Sequence, residues 1–177
     1  MPSRASRCVI AVLALVAPVS EVMAACTDAA APGVEWRRCF LDGSDLTGAD
    51  LRGADLRDSS FKRSDLTDAV LADIQGRRSK FVSSVLENAD FSGAELVQAD
   101  FTSADLTGAK FVRASLRGAR LYDANLRGAD LSQTVLDGAD LLRANFSGAR
   151  WTDGRTICAE GSIGRCHPAP AEQKVQG

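Results

Sequence analysis

The sequence has few of the side chains on which enzymes most often rely. Its 177 residues include one histidine, His167, one tyrosine and two tryptophans. Glycine is common, but no Gly-x-Gly-x-x-Gly or phosphate-loop pattern is present. The sequence therefore predicts a protein that is not an enzyme and that needs no cofactor.

A large net charge is also missing. The formal charge at pH 7 is −2, so the composition favours neither a nucleic-acid-binding protein nor a strongly acidic one. We expect the partner to be a protein or a component of the cell envelope, and not a nucleic acid.

Long apolar runs are missing too. The stretch from Val9 to Val16 is too short to cross a bilayer, so no transmembrane segment is predicted. It follows Arg4 and Arg7, and small residues come soon after it, as in a secretory signal peptide. Residues 1–25 are therefore predicted to be a signal peptide.

Cleavage of this segment is expected near Ala24 to Cys26, which predicts a periplasmic or secreted bacterial protein. The residues Met23-Ala24-Ala25-Cys26 also resemble a lipoprotein processing box. Such boxes prefer Leu, Val or Ile where Met23 stands. A lipid anchor on Cys26 remains the alternative to a disulfide there.

What the sequence has instead is one pattern repeated every five residues. From Leu41 to Trp151, every fifth residue is Leu or Phe apart from Gly76 and Trp151 itself, and Ala or Ser usually stands two residues before it. A period of five matches neither a continuous helix nor a continuous strand. An extended step followed by a turn, often at glycine, satisfies it and predicts a solenoid of stacked coils.

Within each repeat, the small residue and the large residue are two apart, so both point inward from an extended segment. The residue between them, often Asp, points outward and is interpreted as part of a solvated face rather than as a metal ligand. One repeat reverses the sizes, with Ile74 at the small position and Gly76 at the large one. We expect a local bulge there.

This run resembles the pentapeptide-repeat family, whose pattern is a small residue, a polar residue, Leu or Phe, and two variable positions. The resemblance covers about 115 residues, 39–153. It implies an all-β fold, a right-handed quadrilateral parallel β-helix with four pentapeptides per coil. Residues 20 apart would then stack, and one core ladder would contain Leu41, Phe61, Phe81, Phe101, Leu121 and Leu141.

The predicted organisation is a signal peptide at 1–25, an N-terminal cap at 26–38, the β-helix at 39–153, and a C-terminal disulfide loop with a flexible tail at 154–177. The ends of a solenoid need covers. In an exported protein, four mature cysteines are consistent with two disulfides. Of the three connectivities, local pairing at each end is the simplest: Cys26 with Cys39, and Cys158 with Cys166. A metal site formed by Cys158, Cys166 and His167 has a spacing that matches no familiar zinc pattern, so none is predicted.

Basic residues gather around the irregular repeat. In the four-sided arrangement, an arginine pair and a lysine meet near one corner, with two more basic residues one coil below. We interpret this cluster as a candidate docking patch for an anionic partner, the simpler interpretation being a charge-balanced surface. Its members are Lys62, Arg63, Arg77, Arg78 and Lys80.

Two functional hypotheses follow. The first is an exported, non-catalytic structural or protein-interaction scaffold. The alternative is a cytoplasmic DNA mimic that binds topoisomerases and protects them from quinolones, as some members of the family do. That role usually goes with a strongly acidic surface and a C-terminal dimerisation helix. The export signal, the outward arginines and the cysteine-bearing end all favour the first hypothesis.

Overall fold

The computed structural model of the chain describes residues 26–169. The predicted signal peptide and the last residues of the predicted tail lie outside these residues, so both stay predictions. In the part described, no helix is long and apolar enough to cross a membrane.

The fold is a stack of coils held together by parallel pairing between residues 20 apart. The pairing begins with Glu35 and Asp55 and runs without a gap to Asp130 and Arg150. Each pairing is a single-residue bridge, and residues 26–169 contain neither a longer strand nor a helix. A coil therefore has 20 residues and four sides, with one pentapeptide on each side.

We number the four sides by their inward large residues. Side 1 begins with Leu41, side 2 with Leu46, side 3 with Leu51 and side 4 with Trp36, and each continues every 20 residues. Backbone hydrogen bonds join neighbouring coils on every side, as from the Leu41 amide to the Ser60 carbonyl at 2.7 Å. Successive coils are thus about 4.8 Å apart, the spacing of paired strands.

Every corner of the solenoid is formed by one residue with positive φ. These residues occur at every fifth position from Gly33 to Gly148. Glycine adopts this conformation without steric cost, which explains its frequency there. Fourteen of the corner residues are not glycine, and Asp58 and Asn88 are among them. The short polar side chains of Asp and Asn tolerate this region better than most.

The core consists of interlocking stacks of large side chains. On side 1, Phe81 stacks on Phe61 at 5.2 Å and on Phe101 at 5.0 Å between ring centroids. On side 3, Phe91 and Phe111 stack at 5.0 Å. The two stacks meet edge to face at 5.7–5.9 Å, a favourable aromatic geometry. In the predicted ladder, the four inner members are fully buried, whereas Leu41 and Leu141 at its ends are only partly buried.

The small inward positions are buried alanines and serines. The serine hydroxyl groups donate hydrogen bonds to backbone carbonyls. Ser64 donates to Leu41 at 2.8 Å, and Ser84 donates to Phe61 at 2.5 Å. A small side chain here leaves room for the neighbouring Leu or Phe. Burial of a serine therefore lowers the stability of the fold little, because its hydroxyl group has a hydrogen-bond partner.

The bulge expected at Gly76 is not present, and that prediction was wrong. The bridges of Gln75 to Asp55 and to Glu95 continue in register. Ile74 is fully buried and occupies the space that the glycine leaves empty. A Cβ atom on Gly76 would lie only 2.8 Å from Leu96 Cδ2 and 3.4 Å from Ile74 Cδ1. The total volume of the pair is conserved, so the backbone does not need to move.

At the N-terminal end, the coil geometry begins one repeat before the predicted boundary at residue 39. Trp36 is 2% exposed and occupies a large inward position, with Val34 at the small position. The sequence pattern missed this repeat because neither residue is the usual Leu or Ala. The Cys26–Cys39 disulfide then ties residues 26–33 to the first coil.

At the C-terminal end, the chain folds back over the last coil. Antiparallel bridges join Asn145 to Ile163 and Arg150 to Ile157, and the Cys158–Cys166 disulfide closes this loop. Both disulfides therefore have the local pairing expected from the sequence. Trp151 packs edge to face on Phe146 at 5.2 Å and ends the core.

The centre of the aromatic core provides the first prediction. Phe101→Ala should lower the free energy of unfolding by about 3–5 kcal/mol, because it removes a fully buried ring that contacts two stacks. Chemical denaturation followed by circular dichroism measures this. Asp100→Ala on the adjacent outward position is the control and should cost less than about 1 kcal/mol. Equal losses from both variants would contradict the inward placement of Phe101.

The exchanged pair provides a second prediction. Ile74→Ala should cost about 2–5 kcal/mol through a cavity, and Gly76→Leu about 1–3 kcal/mol through a clash with Leu96. The double variant restores the common repeat and should be more stable than either single variant. A double-mutant cycle should give a coupling energy of about 2–3 kcal/mol. Additive losses would mean that the two positions do not share one volume.

Candidate functional site

The most irregular surface of the solenoid is the corner between side 4 and side 1. Side chains there come from the two turn positions that follow each large residue of side 4. In the three N-terminal coils these positions carry five arginines and one aspartate, which together line an open cleft of about 300 Å³. We call this surface the arginine cleft; it consists of Arg37, Arg38, Arg57, Asp58, Arg77 and Arg78.

The fold brings these residues together because residues 20 apart stack. Arg37, Arg57 and Arg77 occupy the same position in successive coils and form one column. Arg38, Asp58 and Arg78 form the column beside it, at the corner residues themselves, which all have positive φ. Neighbouring members of a column start about 4.8 Å apart, close enough for side chains of opposite charge to pair.

Asp55 anchors the first column from the flat face of side 4. Its carboxylate accepts hydrogen bonds from Arg57 Nε at 2.8 Å and from Arg37 Nη2 at 2.7 Å. The Asp55 side chain is only 12% exposed. The hydrogen bond from Arg57 and then that from Arg37 hold the pKa of Asp55 well below its usual range, although burial acts in the opposite direction. The aspartate therefore stays ionised and fixes two guanidinium groups.

Asp58 has the same function in the second column. It accepts from Arg78 Nε at 2.6 Å and from Arg78 Nη2 at 3.0 Å. This pairing lowers the pKa of Asp58, and the charges of Arg38 and Arg77 lower it further. Among the ion pairs of residues 26–169, none includes Arg38 or Arg77. The cleft thus has five cations against three nearby anions: Asp55, Asp58 and Glu35, whose charge acts on Arg57.

Toward the C-terminal end, the same corner widens into a depression of about 450 Å³. Gly118 and Gly138 stand there in the column that carries Arg38 and Arg78, so these two positions contribute no side chain to the corner. Charges of both signs line this glycine depression, and Arg120 pairs with Asp100 at 3.2 Å. Three basic and two acidic side chains line it, a more even ratio than in the arginine cleft.

The structure divides the docking patch predicted from the sequence. Arg77 and Arg78 line the arginine cleft, whereas Lys80 borders the glycine depression together with Arg78. Lys62 and Arg63 lie at the next corner, between sides 1 and 2, where the Lys62 amide donates to Asp42 at 2.9 Å.

Three arginines of the cleft were missed from the sequence: Arg37, Arg38 and Arg57. The signal that identifies them is the period of 20, which places residues 37, 57 and 77 in one column. The predicted cap at 26–38 conceals this relation for Arg37 and Arg38, whereas Arg57 lies within the predicted repeats, one coil before Arg77.

The opposite side of the same coils is acidic. Its carboxylates lie on sides 2 and 3, and no ion pair within residues 26–169 includes any of them. The N-terminal half of the solenoid is therefore electrostatically two-sided. The members of this acidic side are Asp45, Asp65, Asp68, Glu87 and Asp90.

The described part of the chain contains no group of three or more His, Cys, Asp or Glu residues that could hold a metal ion. Cys158 and Cys166 form a disulfide, and His167 Nε2 accepts from Arg165 Nε at 2.9 Å. What the corner offers chemically is recognition of anions by arginine.

Two family models match the chain. One, described as pentapeptide repeats, matches residues 26–63 and 114–150 in 8 copies, and the other, described as a pentapeptide repeat region, matches residues 54–131. Together they extend over most of the residues that the structure describes. No curated protein matches the chain.

Several solved structures are similar. HetL from Nostoc sp. strain PCC 7120, a pentapeptide repeat protein involved in heterocyst differentiation regulation, is 28% identical over 71% of this chain, with a TM-score of 0.45. The chain spans 62% of HetL. A pentapeptide repeat protein of the Arabidopsis thaliana thylakoid lumen is 30% identical over 64% of this chain and 69% of that protein, with a TM-score of 0.41. QnrB1, a plasmid-mediated fluoroquinolone resistance protein, is 20% identical over 65% of this chain and 73% of that protein, with a TM-score of 0.34.

The anchoring of the arginines by Asp55 predicts a pH dependence. Because the pKa of Asp55 is lower in the folded protein than in the unfolded one, its ionised form stabilises the fold above about pH 4. This contribution falls as the pH is lowered toward the folded pKa. Asp55→Asn should cost about 1–2 kcal/mol at pH 7, and the difference from the wild type should shrink below pH 4. Urea denaturation between pH 2.5 and 7 measures both.

Asp50→Asn is the matched control for Asp55→Asn. Asp50 pairs with Arg52 in the same sequence spacing, but its side chain is 39% exposed, so its replacement should have little effect on stability. If the difference in the free energy of unfolding between Asp55→Asn and the wild type did not change with pH, the role given to the Asp55 carboxylate would be contradicted.

Proposed function

We propose that this chain, which belongs to the pentapeptide-repeat family, is an exported, non-catalytic scaffold that binds a protein or envelope component. The family expected from the sequence is confirmed by the two family models. Members of this family are right-handed β-helices, and they are generally structural or interaction proteins. We assign the same hand to this four-sided coil.

The observation that carries the proposal is the pair of disulfides, one at each end of the solenoid. Structural disulfides form and persist in oxidising compartments such as the periplasm or the exterior. The sequence of residues 1–25, which has the features of a secretory signal peptide, supports the same location. An exported solenoid with covered ends has its flat sides and corners left for interaction.

The alternative is a cytoplasmic protein that mimics DNA and binds a topoisomerase. A DNA mimic needs a surface that is acidic over the length of the contact. This chain has columns of arginine along one corner and carboxylates on the opposite side. The arginine cleft would repel the cationic surface of a DNA-binding partner, so the charge distribution favours the exported scaffold.

The test is an intact mass of the protein from its native host, measured with and without reduction. We expect a chain that begins at Ala25 or Cys26 and that gains about four hydrogens when its two disulfides are reduced. Fractionation of the same cells should place this species outside the cytoplasm. The Cys158→Ser/Cys166→Ser variant is the control and should gain about half as many hydrogens on reduction, because it keeps one disulfide.

A full-length, fully reduced chain in the cytoplasm would overturn the proposal and favour the topoisomerase hypothesis. A mass increase of lipid size on Cys26 would show a membrane-anchored form. That form would lack the Cys26–Cys39 disulfide, so the N-terminal end would then need another cover.

A further inference from the structure

We propose that the arginine cleft binds a phosphate-bearing ligand with at least two negative charges. This inference names the chemistry of the partner in the interaction role proposed above and rests on that role. It concerns the corner between sides 4 and 1 in the three N-terminal coils.

The composition of the cleft is the first argument. All five of its basic residues are arginine. The guanidinium group is planar, always charged and able to donate two parallel hydrogen bonds to an oxyanion, and it is less strongly hydrated than the ammonium group of lysine. Arginine provides most of the positive charge of this chain, since only four of its 21 basic residues are lysine. What distinguishes the cleft is therefore the gathering of five arginines at one corner.

Preorganisation is the second argument. Asp55 fixes Arg37 and Arg57, and Asp58 fixes Arg78, so three guanidinium groups have defined positions before any ligand arrives. Fixing these long side chains in advance reduces the entropy that binding would cost. Arg38 and Arg77 form no ion pair within residues 26–169, and they lie in different columns on either side of Asp58. Their charges act on Asp58 only at a distance, so both guanidinium groups keep their hydrogen-bond donors for a ligand.

The geometry favours phosphate over carboxylate. Asp55 shows how this surface holds a carboxylate: one planar group lies on the flat face between arginines of adjacent coils. The cleft differs because side chains from two columns and three coils line it. Arg37, Arg57 and Arg78 already donate through Nε and Nη2 to Asp55 or Asp58, so Arg38 and Arg77 would supply the main contacts to a ligand. A phosphate group has three strong acceptor oxygens in a tetrahedral arrangement, so it can accept from several directions at once. The volume of about 300 Å³ fits a small phosphorylated group rather than a large apolar ligand.

The competing occupant is a second copy of this chain. Its acidic side has carboxylates on the same coils, and two copies with parallel axes would have charges at the same spacing. Such a contact joins different surfaces of the two molecules and would propagate into open chains. Concentration-dependent association would therefore identify the other copy as the occupant of the cleft.

The experiment is isothermal titration calorimetry on the full, oxidised protein with pyrophosphate as the probe and citrate as a carboxylate of similar charge. At low ionic strength, pyrophosphate should bind at one site. Its affinity should fall as salt is added, as expected of an ion-pairing site. Citrate should bind at least about tenfold more weakly. Arg38→Gln/Arg77→Gln should reduce pyrophosphate affinity at least about tenfold. Thermal stability should change little, since neither residue forms an ion pair within the folded part described and both act on Asp58 only at a distance.

The matched control is Lys110→Gln/Arg113→Gln. It removes the same two charges from exposed positions on side 3, away from the cleft, and should leave affinity within about twofold. An equal loss in both double variants would mean that net charge alone attracts the probe, which overturns the site. Equal affinity for citrate would point to an acidic protein segment, and sedimentation that reveals association through the cleft would point to a second copy. Either result would overturn the assignment to phosphate.

Two sources of the phosphate are separated by a vesicle assay. Retention on phosphatidylcholine vesicles that contain phosphatidic acid, lost in Arg38→Gln/Arg77→Gln, would assign the cleft to a lipid headgroup. Pyrophosphate binding without vesicle retention would assign it to a soluble phosphate ester. Export is measured in the native host and binding on the purified protein, so a failure of one does not imply a failure of the other.

Discussion

The structure depends on a turn at every fifth residue. Each turn requires one residue with positive φ, and this requirement is met at all positions of the series from Gly33 to Gly148. Between turns, only a single residue pairs with the next coil on each side. The turn fixes the period, the period fixes which side chains point inward, and the inward side chains stack at 20-residue intervals. Glycine adopts this turn most easily, but Arg, Asp, Ser and Gln also occupy it. At those positions, the hydrogen bonds between coils compensate the conformational free energy that positive φ costs.

Much of this architecture could be predicted because it repeats. The alternation of Ala or Ser with Leu or Phe predicts the core directly, and four cysteines near the two ends have one simple local pairing. Two features could not be predicted. At Gly76, the outcome depends on whether Ile74 fills the volume that glycine leaves, which is a matter of three-dimensional packing. At the start, Trp36 fills a core position with an unusual residue, so the pattern began one repeat too late. That single omission concealed Arg37 and Arg38, two of the six residues of the arginine cleft.

The surface follows the same rule as the core. A residue type that recurs at intervals of 20 becomes a column, and a column of one charge becomes a line of potential along the axis. Columns of arginine alone would repel one another. Asp55 and Asp58 prevent this by occupying sites between arginines of adjacent coils. The same carboxylates that stabilise the corner therefore also orient the guanidinium groups, so stability and the proposed binding of phosphate depend on shared contacts rather than competing ones.

The uniform coil also sets distances along the solenoid axis in fixed steps. The arginine cleft and the glycine depression lie on one corner, and the number of coils sets the distance between them in steps of about 4.8 Å. The two surfaces meet at Arg78, which lines both, so insertion of 20 residues directly after this coil would move their outer ends one step further apart. A shift by a multiple of five that is not a multiple of 20 would rotate one surface by one or more sides relative to the other. A solenoid of this kind can thus be matched to partners of different length by changing length alone, because register and orientation are conserved together only in whole coils.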